Sequence, residues 1–383
     1  MTYDAATSSP ASVRLKLERD MSTGVLEGRK LFEKLQSTMI VDRVASTSCM
    51  RFEPAKAPHT PSQYYIRNPR SETEESYTLH SNAMGQMAKQ VQIPMIFVNT
   101  LTDGEDWERR ELSDLLTERF NKLTFKQRGG GPPRFLNRIV GGKVLGFVSR
   151  VFRRYLTTRD MIQAFAQAAT KLEAKPVEVI ATELRCELKM YLPYVFEPVD
   201  KEYVAIGVVF SNSDFGRGTM RLSLCARRIS SGTTQVLGEV LGESHGHGKA
   251  VGETDITLSK EAIEADIKAH KLKIRDTVNE LLNPDSVNKV LASIRIAKNK
   301  DLRWDQVKDK LGKILRVKEL EELEKVIMGS EEDVFDLPSI PVDEDGYIQP
   351  DAWWASNLAG ALADKEEGDR KTDLQKLAGT FLK

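Results

Sequence analysis

Two apolar runs, RFLNRIV and KVLGFVS, flank Gly141-Gly142 and spell a β-hairpin, because glycine supplies the positive φ that a tight two-residue turn requires. The next segment, TTRDMIQAFAQAATKL, changes to helical spacing, with Thr157 or Thr158 as N-cap and Met161, Phe165 and Ala168 on the inward face. Upstream, ESYTLHSNAMGQMAKQVQIP predicts a short extended piece and then a helix ending before Pro94. Met84, Met87 and Val91 share one face of that helix. Downstream, VEVIATELRCELKMYLP and YVAIGVVFSNSDFGRGTMRLSLCARRI read as strands, the last two joined by a turn at SNSDFGRG.

From Ser259 the period is helical throughout. Ile263, Ile267, Ile274, Val278 and Leu281 mark a first helix closed by Asn283-Pro284, and Val287, Val290, Leu291 and Ile294 mark a second, capped by Asp285 or Ser286. RWDQVKDKLGKILRVKELEELEKVI predicts a third. The pattern predicts an α+β protein: a mixed or antiparallel sheet core with packed helices, followed by a helical C-terminal region. The expected divisions are a mobile N-terminal arm with a short helix (1–35), the α+β core (36–255), a helical region (256–330) and an acidic tail (331–383) in which DAWWASNLAGALA docks as a helix. Four prolines between Phe52 and Glu75 argue against any long element there.

The 383 residues suffice for a sizeable core, and 40% apolar with 29% charged residues is ordinary for a soluble protein. No apolar run approaches the roughly 20 residues of a membrane helix, and the polar start lacks the apolar centre of a secretory signal. A bacterial host cytoplasm is the expected location, with no membrane partner. Cys49, Cys186 and Cys225 are odd in number and far apart, so buried free thiols are expected rather than disulfides or a metal site.

The formal charge of zero hides a segregation. After Glu118 the next acid is Asp160, and between them lie Arg119, Lys122, Lys126, Arg128, Arg134, Arg138, Lys143, Arg150, Arg153, Arg154 and Arg159. A second acid-free run, Phe215 to Val236, carries Arg217, Arg221, Arg227 and Arg228, whereas Glu331, Glu332, Asp333, Asp336, Asp343, Glu344 and Asp345 crowd the tail. Cations neutralise phosphates and aromatics stack on unpaired bases. The expected nucleic-acid contacts are therefore Arg128, Arg134, Arg138, Lys143, Arg150, Arg153, Arg154, Arg159, Arg217 and Arg221, with Phe152 and Tyr155 as stacking residues. Phe135, Phe147 and Phe165 read as core.

Other chemistries find less support. Lys143 is followed by Val144, and no glycine stands five residues before Gly142, so the phosphate loop of nucleotide hydrolases is missing. Pro132-Pro133 follow the Gly129–Gly131 cluster and remove two amides a phosphate cradle would use. His245 and His247 in GESHGHGKA are one pair short of a closed zinc site. There is no GxSxG nucleophile motif. No catalytic residue, cofactor or metal is assigned, and the chain is not expected to be an enzyme; a metal-assisted nuclease using His245, His247 and carboxylates is the weakest alternative.

The order of four segments resembles a family found mainly in phages and plasmids, the domain of unknown function 932 type. LHSNAMGQMAKQVQIP looks like its alanine- and glutamine-bearing helix, and VLGFVSRVFRRYLTTRDMIQAF looks like its strand-to-helix element. AIGVVFSNSDFGRGTMRLSL, with Asn212, Ser213, Asp214 and Gly216, is similar to its most recognisable stretch, and SHGHGK sits where the family carries histidine and glycine. Arg150 and Val151 replace the family's acidic and basic pair, and Phe152 its usual tyrosine. The resemblance implies phage or plasmid biology, but no particular activity. With the basic window, it sets the expectation of a phage- or plasmid-encoded nucleic-acid-binding protein, homo-oligomeric, favouring single-stranded DNA and acting in annealing or recombination. The alternative is a multimeric shell or virion component without nucleic-acid chemistry. For Asn212-Ser213-Asp214 a structural turn is the favoured reading.

Overall fold

The computed structural model describes residues 10–68, 73–123, 132–243, 258–327 and 349–383. The first described element is a 27-residue helix, α1 (Ala11–Ser37), which buries Leu17, Met21 and Leu31. The described part of the expected mobile arm is thus helix from Ala11 on, held by a face too regular to be read from a short window. Gly24 and Gly28 let α1 lie directly on Pro176; at Gly24 a Cβ would strike the Pro176 carbonyl.

The first sheet follows: β1 (Val41–Ser46), β2 (Met50–Glu53), β3 (Gln63–Arg67) and β4 (Glu74–Leu79), then helices α2 (Ser81–Gln90), α3 (Met95–Asp103) and α4 (Asp106–Asn121), then the hairpin β5 (Arg134–Val140) and β6 (Lys143–Ser149). Its strand order is β1-β5-β6-β4-β3-β2, antiparallel except for the β4–β6 pair. Gly141 and Gly142 turn the hairpin at φ 56° and 77°. Met84, Met87 and Val91 are buried as their spacing predicts, in a core with Phe52, Tyr64, Phe120 and Phe147. Phe135 stacks on Phe147 from the edge of that core, ring centroids 4.6 Å apart. The prolines between residues 52 and 75 do not abolish structure; they bound the short strands β2 and β3.

Helix α5 (Thr158–Lys171) leads into the second sheet: β7 (Lys175–Ala181), β8 (Cys186–Tyr191), β9 (Phe196–Val199), β10 (Glu202–Asn212), β11 (Met220–Arg228) and β12 (Thr234–Glu243). The order is β12-β11-β10-β8-β7, with β9 also on β10, all antiparallel. One face carries Leu188, Ile206, Val208, Phe210 and Leu222 against Met161, Phe165 and Ala168 of α5. Helices α6 (Lys260–Leu281) and α7 (Pro284–Lys298) cover the rest of that face. Thr157 caps α5 by accepting the Asp160 N–H. Thr157→Ala is expected to lower stability by about 1 kcal/mol, read as a shifted urea midpoint with an unchanged slope.

Asn283, rather than Asp285 or Ser286, caps α7, and Pro284 opens it. The expected third helix is two, α8 (Trp304–Leu311) and α9 (Val317–Ile327), parted after Gly312. The described part of the tail, from residue 349, docks as two helices: α10 (Ala352–Asp364), buried on almost every side, and α11 (Gly368–Thr380). The architecture is α+β, with a helical C-terminal region. The acid-rich residues 331–345 and the His245/His247 loop lie outside the described residues. Cys186 and Cys225 are buried free thiols, as expected, and Cys49 is half-buried. Among the described residues no helix is long and apolar enough to cross a membrane.

Candidate nucleic-acid interface

The β10–β11 turn joins the two sheets. Its Phe215 carbonyl accepts from Asn82 Nδ2 (3.2 Å) and Gln86 Nε2 (2.9 Å) of α2, while Gln86 Oε1 accepts the Phe147 N–H of β6. Asp214 Oδ1 accepts the Thr158 N–H at the start of α5 (2.9 Å), and the Asp214 carbonyl accepts from Arg138 of β5. Ser213 Oγ accepts the Phe215 and Arg217 N–H groups, and Gly216 and Gly218 take φ of 72° and 94°. Three of the four segments behind the family resemblance therefore meet at one buried joint, and Asn212-Ser213-Asp214 is a structural turn. The fourth, SHGHGK, lies outside the described residues.

Beside this joint opens a cleft of about 400 Å³, walled by the end of α1, the β5–β6 hairpin, the start of α5 and the β7–β8 turn. Its cations are Lys34, Arg138, Lys143, Arg159 and Arg185; its carboxylates are Glu183 and Asp214. A second groove of about 940 Å³ runs on between α1 and α5, lined by Gln36, Gln163, Gln167, Thr170 and Lys171, with the Asp160 carboxylate at its start. Arg159 lines both, so the two adjoin and make an interrupted track along α1 and α5. Lys34 and Lys171 are exposed and make no ion pair among the described residues.

The expected cations divide sharply once placed. Arg138 is only 3% exposed, its Nε on Asp42 Oδ1 at 3.1 Å, so it holds the joint together. Lys143 reaches Glu183 at 3.0 Å and remains partly exposed. The Lys143 bond holds the Glu183 carboxyl below its ordinary range, outweighing the burial that would raise it. His80, which caps α2, is pushed down by burial and by Lys143. Arg153 lies half-buried against His270 Nε2 (3.2 Å) and Glu243 (3.7 Å). Arg154 is exposed within 3.6 Å of Asp42, and Arg159 is exposed within 3.8 Å of Asp160. Arg134 and Arg150 are exposed at the ends of the hairpin strands. Arg217 clamps Asp369 with Nε and Nη2 at 3.1 and 3.0 Å, and Arg221 Nε bonds Thr219 at 2.9 Å. Arg128 lies outside the described residues.

The expected stacking pair is a correction. Phe152 is 8% exposed with the Arg138 guanidinium over its ring, and the Tyr155 hydroxyl donates to Asp266 of α6 at 2.7 Å. Both rings belong to packing between elements. The acid-free window is acid-free only in sequence: Asp42, Glu183, Glu243 and Asp266 come to it from β1, the β7–β8 turn, β12 and α6. Lys34, Lys171 and Arg185 were not expected, because single cations on amphipathic elements carry no sequence signal. Cys186 lines the cleft, but burial pushes its thiol up to about 12, which keeps it protonated and a poor nucleophile.

The fold and this track define an α+β protein of two joined sheets with a cation-lined surface groove. No family model, curated protein or solved structure matches the chain.

Proposed function

We propose that the chain binds nucleic acid, single-stranded DNA in preference, along the track from the hairpin cleft to the α1–α5 groove. The observation that carries this reading is the convergence of Lys34, Lys143, Arg159 and Lys171 from three separate elements on two grooves that adjoin at Arg159. Spaced cations, three exposed and Lys143 partly so, suit a string of phosphates, and the Gln36, Gln163 and Gln167 amides can donate to sugar and base edges. The resemblance to a phage and plasmid family agrees with a role in annealing or recombination in a bacterial host.

The test is the affinity for a fluorescent single strand and its duplex across a salt series, for the protein and for Lys34→Glu/Arg159→Glu. Both side chains are exposed, so the double variant keeps its fold, which circular dichroism verifies. The variant is expected to bind about ten-fold more weakly and to lose about 1.4 units of salt slope on the single strand, roughly 0.7 for each of the two cations. Absence of single-strand binding at low salt overturns the reading. Charge reversal at Arg153 is unsuited to this test, because a carboxylate there would face Glu243.

One observation favours a second reading, a multimeric assembly protein. Strand β1 ends the first sheet, and its Val41 and Val44 are exposed beside Met39. An open edge with apolar side chains is a pairing surface for another copy. Sedimentation without nucleic acid tests it; a monomer at all concentrations removes it.

A further inference from the structure

We infer that the hairpin cleft is a pocket for one nucleobase, its interior taking the flat heterocycle while the attached phosphate stays at the mouth. Exposure grades the lining with depth. Leu31, Leu145 and Phe215 are buried at the floor, and Leu35 and Leu184 are half-buried on the walls. Lys34 and Arg159 are exposed at the mouth. The volume of about 400 Å³ falls within the range of small-ligand sites, which are mostly apolar with a few placed polar groups.

One polar group inside decides between occupants. Asp214 lines the cleft at 8% exposure, and its Oδ1 accepts the Thr158 N–H at 2.9 Å. An ionised carboxylate has about four acceptor sites, so one bond does not exhaust it. Free inorganic phosphate has no use for an apolar floor and is repelled by that carboxylate. An acyl chain fits the floor but takes Asp214 further from water without offering it a hydrogen bond. A nucleobase meets both demands: its faces can be buried, and its Watson–Crick edge brings an N–H donor. At the mouth, Lys143 is already held by Glu183. Arg159 lies 3.8 Å from Asp160 in a loose, exposed contact that a phosphate can displace.

That the base belongs to a bound strand rests on the nucleic-acid reading; the pocket rests on its own lining. The second groove adjoins the cleft at Arg159, so neighbouring phosphates continue along α1 and α5 while one base turns inward. Taking a base out of the stack costs less in a single strand than in a duplex, which agrees with a single-strand preference.

The experiment compares the affinity of the full chain for a single strand and for an abasic strand of equal length and charge, and repeats both with Ala181→Phe and Thr38→Phe. Both residues line the cleft and are exposed, so the variants narrow it without removing a cation, and circular dichroism verifies their fold. The wild type is expected to bind the abasic strand about ten-fold more weakly. Each variant is expected to bind the two strands alike, with an unchanged salt slope. Equal affinity of the wild type for the two strands, or full base preference in both folded variants, overturns the pocket and leaves the groove reading standing. If no strand binds, the groove reading falls, and calorimetric titration with adenosine monophosphate decides the pocket. Saturable binding lost in both variants keeps it, for free nucleotides; no binding removes it as well.

Discussion

Lys189→Ala is expected to lower stability by about 3–5 kcal/mol, the usual effect of removing one partner from a buried ion pair. Lys189 of β8 is fully buried, with Nζ 2.8 Å from Glu178, 3.2 Å from Glu187 and 2.7 Å from Gln375 of α11. Alanine leaves two carboxylates facing each other beneath α11. Burial alone would push the Glu178 carboxyl up, but Lys189 and Lys371 outweigh it and hold the group at about 2. The sign follows: a depressed carboxylate stabilises the fold above its unfolded pKa, near 4.5, and that stability is lost as pH falls from there towards 2. Urea midpoints measured between pH 7 and pH 2.5 should therefore converge for wild type and variant at the acid end. A triple variant, Lys189→Met with Glu178→Gln and Glu187→Gln, should recover much of the loss at pH 7. If it recovers none, shape rather than charge governs this layer.

The second large effect is expected at Gly379→Ala, with about 2–3 kcal/mol lost despite alanine's better helix propensity, worth about 1 kcal/mol. Gly379 lets α11 lie directly on β12, and a Cβ there would land inside the Val236 carbonyl. The helix cannot slide away freely, because Leu374, Ala378 and Phe381 fill the C-terminal core beside Trp354 and Leu358 of α10. Hydrogen exchange should show α11 amides opening before those of β10. Uniform exchange across the chain would mean that the C-terminal helices open only with the whole fold.

Local pattern was most legible where one element satisfies itself. The Gly141-Gly142 hairpin, the Met84/Met87/Val91 face and the N-cap of α5 are all as the residues predict, because turn glycines, helical spacing and a capping hydroxyl act over a few positions. The length of α1 and the strands β2 and β3 were not legible. Their stability comes from partners far along the chain: Pro176 under α1, and Thr117 of α4, whose hydroxyl accepts the Phe52 N–H. The break between α8 and α9 was missed for a related reason. Composition favours helix throughout, and the packing of Leu311, Leu315 and Leu323 into one core decides where the chain bends.

The interface divides along the same line. The sequence by itself determined an α+β chain with a helical C-terminal part, two arginine-rich stretches poor in acids, and a glycine-bearing turn at Asn212–Gly218. Tertiary structure alone decided which cations stay open. Arg138, Arg153 and Arg217 are neutralised by Asp42, Glu243 and Asp369, residues 96, 90 and 152 positions away, whereas Lys34 and Lys171 are left exposed along a groove. Charge is additive along a sequence, but its availability depends on distance and burial, which only the folded chain sets.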